Sequence, residues 1–371
     1  MQALIQYTGV AALFYTAAYI AALVVIVFIH EMGHFLVGRW CGVGIQAFSI
    51  GFGPELWGFV DARGTRWKLC AIPLGGYVKF EGDANAASLP DQSAVHSPTS
   101  LPGAALYKRA LIVVAGPVAN FVTTILIFAA AYGIVGVPVS QPRVGEVLVG
   151  GAADAAGLKV GDLITSIDGK AITVFSDLQD AMILRGEEPA LVKVDRAGAV
   201  MEFHLTPKIT EIEDGLGGKA RLAQIGIRSD GKPTLQRANP IEALGKGVER
   251  TWFISNMTLR FVGKMIIGQE SINQLHGPVG VAKAAGDTAL LGIWPFVFFI
   301  GLISVSIGLI NLFPIPMLDG GHLLFYLIEA VIGRPVSRQT QEWGFRIGLS
   351  ALLVLIIVVS TKDVMALYLG H

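Results

Sequence analysis

Long apolar runs alternate with a segment of a different pattern. A transmembrane helix needs about 20 mainly apolar residues. Runs of that kind extend from about Phe14 to Val37, Ala110 to Val135, Ile293 to Phe313 and Phe345 to Ser360. Leu323–Ile332 is apolar but too short to span alone. It reads as helix continuing from the third span or lying at the interface.

Between the second and third spans the pattern shortens to strands and turns. Val144–Val149 reads as a strand, and Gly150 to Leu158 as a turn entering a short helix. Gly161–Ile164 and Ser166–Lys170 predict a strand and a tight turn at Asp168-Gly169. Ser176 to Leu184 predicts a helix with Ser176 as its N-cap. Leu191–Val194 and Val200–Leu205 predict a hairpin across Ala197-Gly198. Beyond residue 208 the pattern is weaker. Gly215, Gly217, Gly218 and Gly231-Lys232-Pro233 mark loops, and Ile241 to about Ile267 an amphipathic helix suited to a membrane surface or a core.

Composition agrees with a membrane class. Of 371 residues, 53% are hydrophobic and 15% charged, against about 25% charged in soluble domains. The formal net charge is zero, which gives no sign of a nucleic-acid partner. Cys41 and Cys70 are too few for a disulfide framework and are not spaced as a metal pair.

Charge placement orients the spans. No Lys or Arg precedes Arg39, so the positive segment of a cleavable signal peptide is missing. Arg39, Lys108-Arg109, Arg334, Arg338 and Arg346 flank the spans, and short cytoplasmic loops are rich in such residues. Both termini and the segment 136–292 are then expected outside, and the loops 38–109 and 333–346 in the cytoplasm.

The chemistry lies in the first span. His30-Glu31-Met32-Gly33-His34 fits H-E-x-x-H, which puts two imidazoles on one helix face with a carboxylate beside them as general base. An ionisable residue in mid-membrane costs about 2.5–3.5 kcal/mol on insertion scales, so this cluster calls for a purpose. Neutral imidazole suits Zn²⁺, and a catalytic zinc needs three protein ligands. The proline-broken stretch Asn311–His322 closes the third span. A broken helix at membrane depth is tolerated where it lines a cavity. Asp319 and His322 are both candidates there. Asp319 could instead cap the following helix. His96, His204, His276 and His371 stand in contexts that do not suggest ligands.

Together, H-E-x-x-H and Asn311-Leu312-Phe313-Pro314-Ile315-Pro316-Met317-Leu318-Asp319-Gly320 resemble the site-2 proteases, intramembrane zinc metalloproteases of peptidase family M50. The series A-G-L-x-x-G-D-x-I-x-x-I-D-G from Ala156 resembles a PDZ domain of the bacterial protease type. This points to the bacterial RseP type of site-2 protease. The resemblance covers nearly the whole chain, with one PDZ domain found where the best-known member has two.

The resemblance implies an α-helical polytopic membrane protein with about four spans, an extracytoplasmic α+β PDZ domain and a membrane-re-entrant β-hairpin. The implied divisions are 1–136, 137–210 (the PDZ domain), 211–292 and 293–371. One zinc ion would be held by His30, His34 and Asp319, with Glu31 as catalytic base and His322 only a neighbour. Phe48–Pro54 and Arg66–Leu69 would form the re-entrant hairpin, and Ile72–Phe80 a strand beside the site. Asn311, Asn120, Gly75, Gly76 and Tyr77 would position substrate. PDZ domains bind peptides at an open strand edge, expected here near Val144–Val149 and the Ser176–Leu184 helix.

The implied substrates are single-pass membrane proteins already shortened by a site-1 protease, such as anti-sigma factors, and remnant signal peptides. The implied location is the bacterial inner membrane, with the active site toward the cytoplasm. The alternative is a membrane-anchored PDZ scaffold with a structural metal. A zinc transporter is a further rival, but it predicts polar residues all along a path, whereas here they gather near one end.

Overall fold

The computed structural model describes residues 9–83, 97, 99–213, 219–231, 234–270 and 275–369. His96, His371, Gly215, Gly217, Gly218, Lys232 and Pro233 lie outside the described residues. The chain forms two compact units, residues 1–127 with 275–368, and residues 128–274.

In the first unit, α1 (Gly9–Trp40) carries H-E-x-x-H and α2 (Leu106–Ala130) begins the second span. After the central segment come α6 (Pro278–Leu291), α7 (Ile293–Asn311), α8 (Asp319–Ile332) and α9 (Arg338–Leu369). Among the described residues, four helical stretches are long and apolar enough to cross a membrane: Ala11–Trp40, Leu106–Val135, Ile293–Asn311 and Arg338–Met365. These match the four expected runs, with the fourth longer at both ends. Leu323–Ile332 does not continue the third span. It belongs to α8, separated from α7 by a turn segment. Pro314 and Pro316 lack the N–H that would continue the helix, and Met317 sits at φ 87°, a strained angle for a side chain.

The strands β1 (Ile45–Val60) and β2 (Arg66–Phe80) form a hairpin that folds over on itself. Residues 55–60 pair with 66–70, and Phe48, Ser49 and Ile50 pair with both Trp67–Leu69 and Gly76–Val78. The last part of β2 is therefore an outer strand. Phe48, Phe35, Val78, Phe80 and Ile112 form the core beneath it. The far part of the hairpin exposes Phe52, Leu56, Trp57, Phe59 and Leu69. Arg39 ties the hairpin turn to α1 by bonding Asp61 and Thr65 while lying over the Phe35 ring. Burial pushes the Asp61 carboxyl up, but hydrogen bonds from Trp67 and Arg39 outweigh it and hold the group below the usual carboxylate range.

The other end of this unit is tied by Asp363 on α9. Its Oδ2 accepts the N–H groups of Gly277 and Gly280, both at 2.8 Å, at the start of α6. Those N–H groups have no helical partner of their own.

The second unit holds β3 (Val137–Val139), β4 (Val144–Val147), α3 (Ala152–Ala156), β5 (Leu163–Ile167), β6 (Lys170–Ala171), α4 (Phe175–Arg185), β7 (Ala190–Arg196) and β8 (Ala199–Leu205). It continues through β9 (Lys208–Glu213), β10 (Lys219–Gln224), β11 (Ile227–Ser229), β12 (Thr234–Gln236) and α5 (Pro240–Ile266). One sheet runs β6-β5-β7-β8. Its turns at Asp168-Gly169 and Ala197-Gly198 place both residues at positive φ, as two-residue hairpins require. Ile164, Val192, Val194, Leu178 and Met182 pack in its core.

The structure differs from the sequence pattern at three places. Ser176 does not cap α4. The helix starts one residue earlier, and the Asp177 carboxylate accepts from the N–H groups of Thr173 and Val174 instead. The segment 208–236, weak in pattern, holds strands that the sequence did not predict. Its strands β11 and β12 pair back to β4 and β3, which carries the unit past residue 210. Finally, β4 is not an open edge. It pairs with β11 on one side, while Val144 bonds Gly161 and Asp162 on the other.

The helix α5 buries Ala243, Gly247, Thr251, Ile254 and Ser255 and exposes Ile241, Leu244, Val248 and Trp252. The exposed apolar residues recur at spacings of three and four, which lines them up as one stripe of an amphipathic helix.

Candidate metal centre

The expected ligands meet in the first unit. His30 and His34 are one helical turn apart on α1, so both rings leave the same face. Asp319 opens α8 and reaches the same point. The distance from His30 Nε2 to Asp319 Oδ2 is 3.0 Å, and from His34 Nε2 to Asp319 Oδ1 3.5 Å. The two Nε2 atoms are 3.2 Å apart. Among the described residues, these three form the one group whose ligand atoms, all within 4.8 Å of one another, could hold a metal ion. His322 is not in the group. Its ring faces Phe345, with centroids 5.3 Å apart.

Hydrogen bonding shows that the donors fit zinc. Nδ1 of His34 lies 2.8 Å from the Ile112 carbonyl. A carbonyl only accepts, so Nδ1 carries the proton and Nε2 of the neutral ring presents a lone pair. That lone pair faces a carboxylate and a second imidazole. Three donor atoms of this kind around one point match the two-histidine, one-carboxylate set of catalytic zinc sites.

Glycines let the backbones close around the rings. A Cβ on Gly116 of α2 would fall 2.4 Å from His34 Nε2 and 2.8 Å from His30 Cε1. A Cβ on Gly33, between the histidines, would fall 2.3 Å from the Ala115 carbonyl oxygen. One on Gly320 would meet the Phe313 carbonyl oxygen at 2.1 Å. Each contact is far inside normal packing, so these positions admit no side chain without movement. The roles of Gly116 and Gly33 were not read from the sequence. Gly33 lies within the motif and Gly116 on a helix far away in the chain, so their fit to the rings has meaning only once the two helices are known to touch.

The support extends to the far end of α8. Arg109 on α2 makes a two-pronged pair with Glu329, at 3.0 and 2.5 Å, and lies over the Tyr326 ring. Both partners are mostly buried. The helix that carries Asp319 is thereby fixed to the helix that carries Gly116.

The remaining expected residues divide into three groups. Glu31 lies beside β2: a Cβ on Gly76 would be 3.2 Å from its Cγ. Gly75 and Tyr77 are neighbours in that strand, Gly75 at φ 129° and Tyr77 stacked on Phe52. Asn120 is fully buried against His30. Asn311 ends α7, half-buried, just before the break. Cys41 and Cys70 are free thiols.

Membrane-length helices around a site of this composition define a membrane metalloprotease. Comparison with known proteins places it further. Residues 18–355 match peptidase family M50, and the chain belongs to that family of zinc metalloendopeptidases. It is 46% identical to a protein of Agrobacterium fabrum named as a candidate zinc metalloprotease, over 95% of this chain and 96% of that one. A Rhizobium meliloti protein with the same kind of name is 44% identical, over 92% and 94% of the two chains. The metalloprotease MmpA of Caulobacter vibrioides is 35% identical, over 91% and 92%.

Proposed function

We propose that this protein cleaves peptide bonds within or near the transmembrane segments of other membrane proteins. The observation that carries this reading is the meeting of His30, His34 and Asp319, with Glu31 beside them, among helices long and apolar enough to span a bilayer. In this reading His30, His34 and Asp319 hold one zinc ion. When bound, zinc would supply Lewis-acid polarisation of a peptide carbonyl and activation of a water.

The chain's own residues account for the rest. Glu31 takes a proton from the attacking water and delivers it to the leaving amine. The outer strand Gly76–Phe80 passes Glu31 and is placed to pair with a substrate unwound into extended form. A helical substrate hides its peptide bonds in hydrogen bonds, so a strand partner would replace those it gives up. Gly75, Gly76, Tyr77 and Asn311 fit a role in holding that substrate. The exposed apolar part of the β1–β2 hairpin suits re-entry into the bilayer.

The second unit reads as a single PDZ-like domain, supported by its turns, by the β6-β5-β7-β8 sheet and by α4. With β4 covered, the outer side of β11 is an edge that could receive a peptide. The exposed stripe of α5 suits a membrane surface. The flanking basic residues support a multi-pass protein of the bacterial inner membrane with both termini and the segment 136–292 outside. A domain there would exclude or sense uncut ectodomains. The substrates fitting this arrangement are single-pass proteins already shortened by a site-1 protease, of the anti-sigma-factor type, and remnant signal peptides.

The test is co-expression with a panel of truncated single-pass proteins. Glu31→Gln should abolish cleavage while leaving the zinc content and folded yield unchanged. Cleavage at the wild-type rate in that variant would sink the mechanism.

A further inference from the structure

The two metal-facing imidazoles are held from behind by different groups. His34 donates Nδ1–H to a main-chain carbonyl. His30 has a side chain in the same place: the amide of Asn120, whose Nδ2 is 3.3 Å from His30 Nδ1. Ligation through Nε2 requires the proton on Nδ1, and that proton requires an acceptor. The amide nitrogen does not accept, but the amide oxygen does. In the orientation with Nδ2 toward the ring, Oδ1 is buried without a hydrogen-bond partner. The two ends of an amide are distinguished by their surroundings. Turning this one over gives Oδ1 the His30 Nδ1–H.

Asn120 is also held in place by its neighbours. Its main-chain oxygen accepts from Thr124 Oγ1 at 2.9 Å and from Ser304 Oγ at 3.3 Å. A Cβ on Gly308 of α7 would lie 3.1 Å from the Asn120 Cβ. The side chain is 0% exposed, so it is placed to act through the His30 ring, not on a substrate.

We propose that Asn120 is a positioning residue: its carbonyl oxygen holds the His30 Nδ1–H and so aims the Nε2 lone pair at the metal. This rests on the reading that His30, His34 and Asp319 bind zinc. Lost partners of this kind cost about 10–100-fold in metal affinity.

The experiment measures zinc affinity of the full-length purified protein by chelator competition, independently of proteolysis. Asn120→Ala and the apolar, similarly sized Asn120→Leu should each bind zinc about 10–100-fold more weakly. Asn120→Asp keeps an acceptor oxygen and should bind as well as wild type. With cobalt in place of zinc, the visible bands should shift in Asn120→Leu and return toward wild type in Asn120→Asp. Wild-type affinity in Asn120→Leu overturns the proposal, as does Asn120→Asp binding as weakly as Asn120→Ala. His34→Ala separates the two readings. If it keeps wild-type zinc affinity, the ligand assignment fails. If it loses zinc while Asn120→Leu does not, only the role of Asn120 fails.

Discussion

Gly116 shows how closely the candidate centre depends on single atoms. It lies where α2 passes the imidazoles, and one added methyl group would occupy the space of His34 Nε2 and Cε1. Its helical backbone is normal, so Gly116→Ala carries no conformational penalty and slightly favours the helix. We therefore expect Gly116→Ala to insert and fold at near wild-type yield but to lose most of its zinc and its cleavage. Metal content of the purified variant, set beside its thermal unfolding, would check this. Full zinc occupancy in Gly116→Ala would mean that the rings can move aside and that the cradle is not required.

At the scale of elements, links between distant segments set the geometry. Arg109 and Glu329 fix α8 against α2, and Asp363 of α9 caps α6. In the second unit, Asp162 does comparable work for the β5–β7 sheet. Its side chain is almost wholly buried and bonds Arg196 at 2.6 and 2.7 Å and the Lys159 N–H at 2.8 Å. Burial disfavours the charged form, but Arg196 and the Lys159 N–H outweigh it and hold this carboxyl below the usual carboxylate range. A group depressed in the folded state stabilises fully above its unfolded value, about 3.9. That contribution fades as the pH falls through this value toward the lower folded one. Asp162→Asn should lower stability by about 1–3 kcal/mol near neutral pH, because it leaves Arg196 short of its partner. It should also flatten part of the loss of stability below about pH 4. Thermal unfolding of both forms from pH 7 to pH 3 measures this, and parallel curves would contradict it.

At the scale of the whole molecule, orientation in the membrane has the largest consequence. It decides which compartment supplies water and substrate. The basic residues at 39, 108–109, 334, 338 and 346 argue for cytoplasmic loops at those ends. Val200 and Arg334 are both exposed and well suited as reporters. In a background with Cys41 and Cys70 changed to Ser, Val200→Cys should react with a membrane-impermeant maleimide in intact spheroplasts. Arg334→Cys should react only after the membrane is opened. The reverse pattern would invert the proposed topology.

Local pattern was enough for the membrane class, for four spans (the fourth read too short at both ends), for two histidines on one helix face and for the turns at Asp168-Gly169 and Ala197-Gly198. Each of these rests on local physics: apolar length, helical spacing or the backbone freedom of a turn. Residue chemistry left Asp319 and His322 both open as third ligands, with Asp319 ahead for its place just after the helix break, and the family resemblance then reduced His322 to a neighbour. Tertiary structure brought Asp319, and not His322, to the histidines, because that depends on where a broken segment lands after a long excursion of chain. It also decided that β11 covers β4, that Asp177 and not Ser176 supports the start of α4, and that Gly116, Ile112 and Asn120 surround the rings. Those are contacts between residues far apart in the chain, made where backbones approach closely, and no periodicity in one segment records what another will place against it.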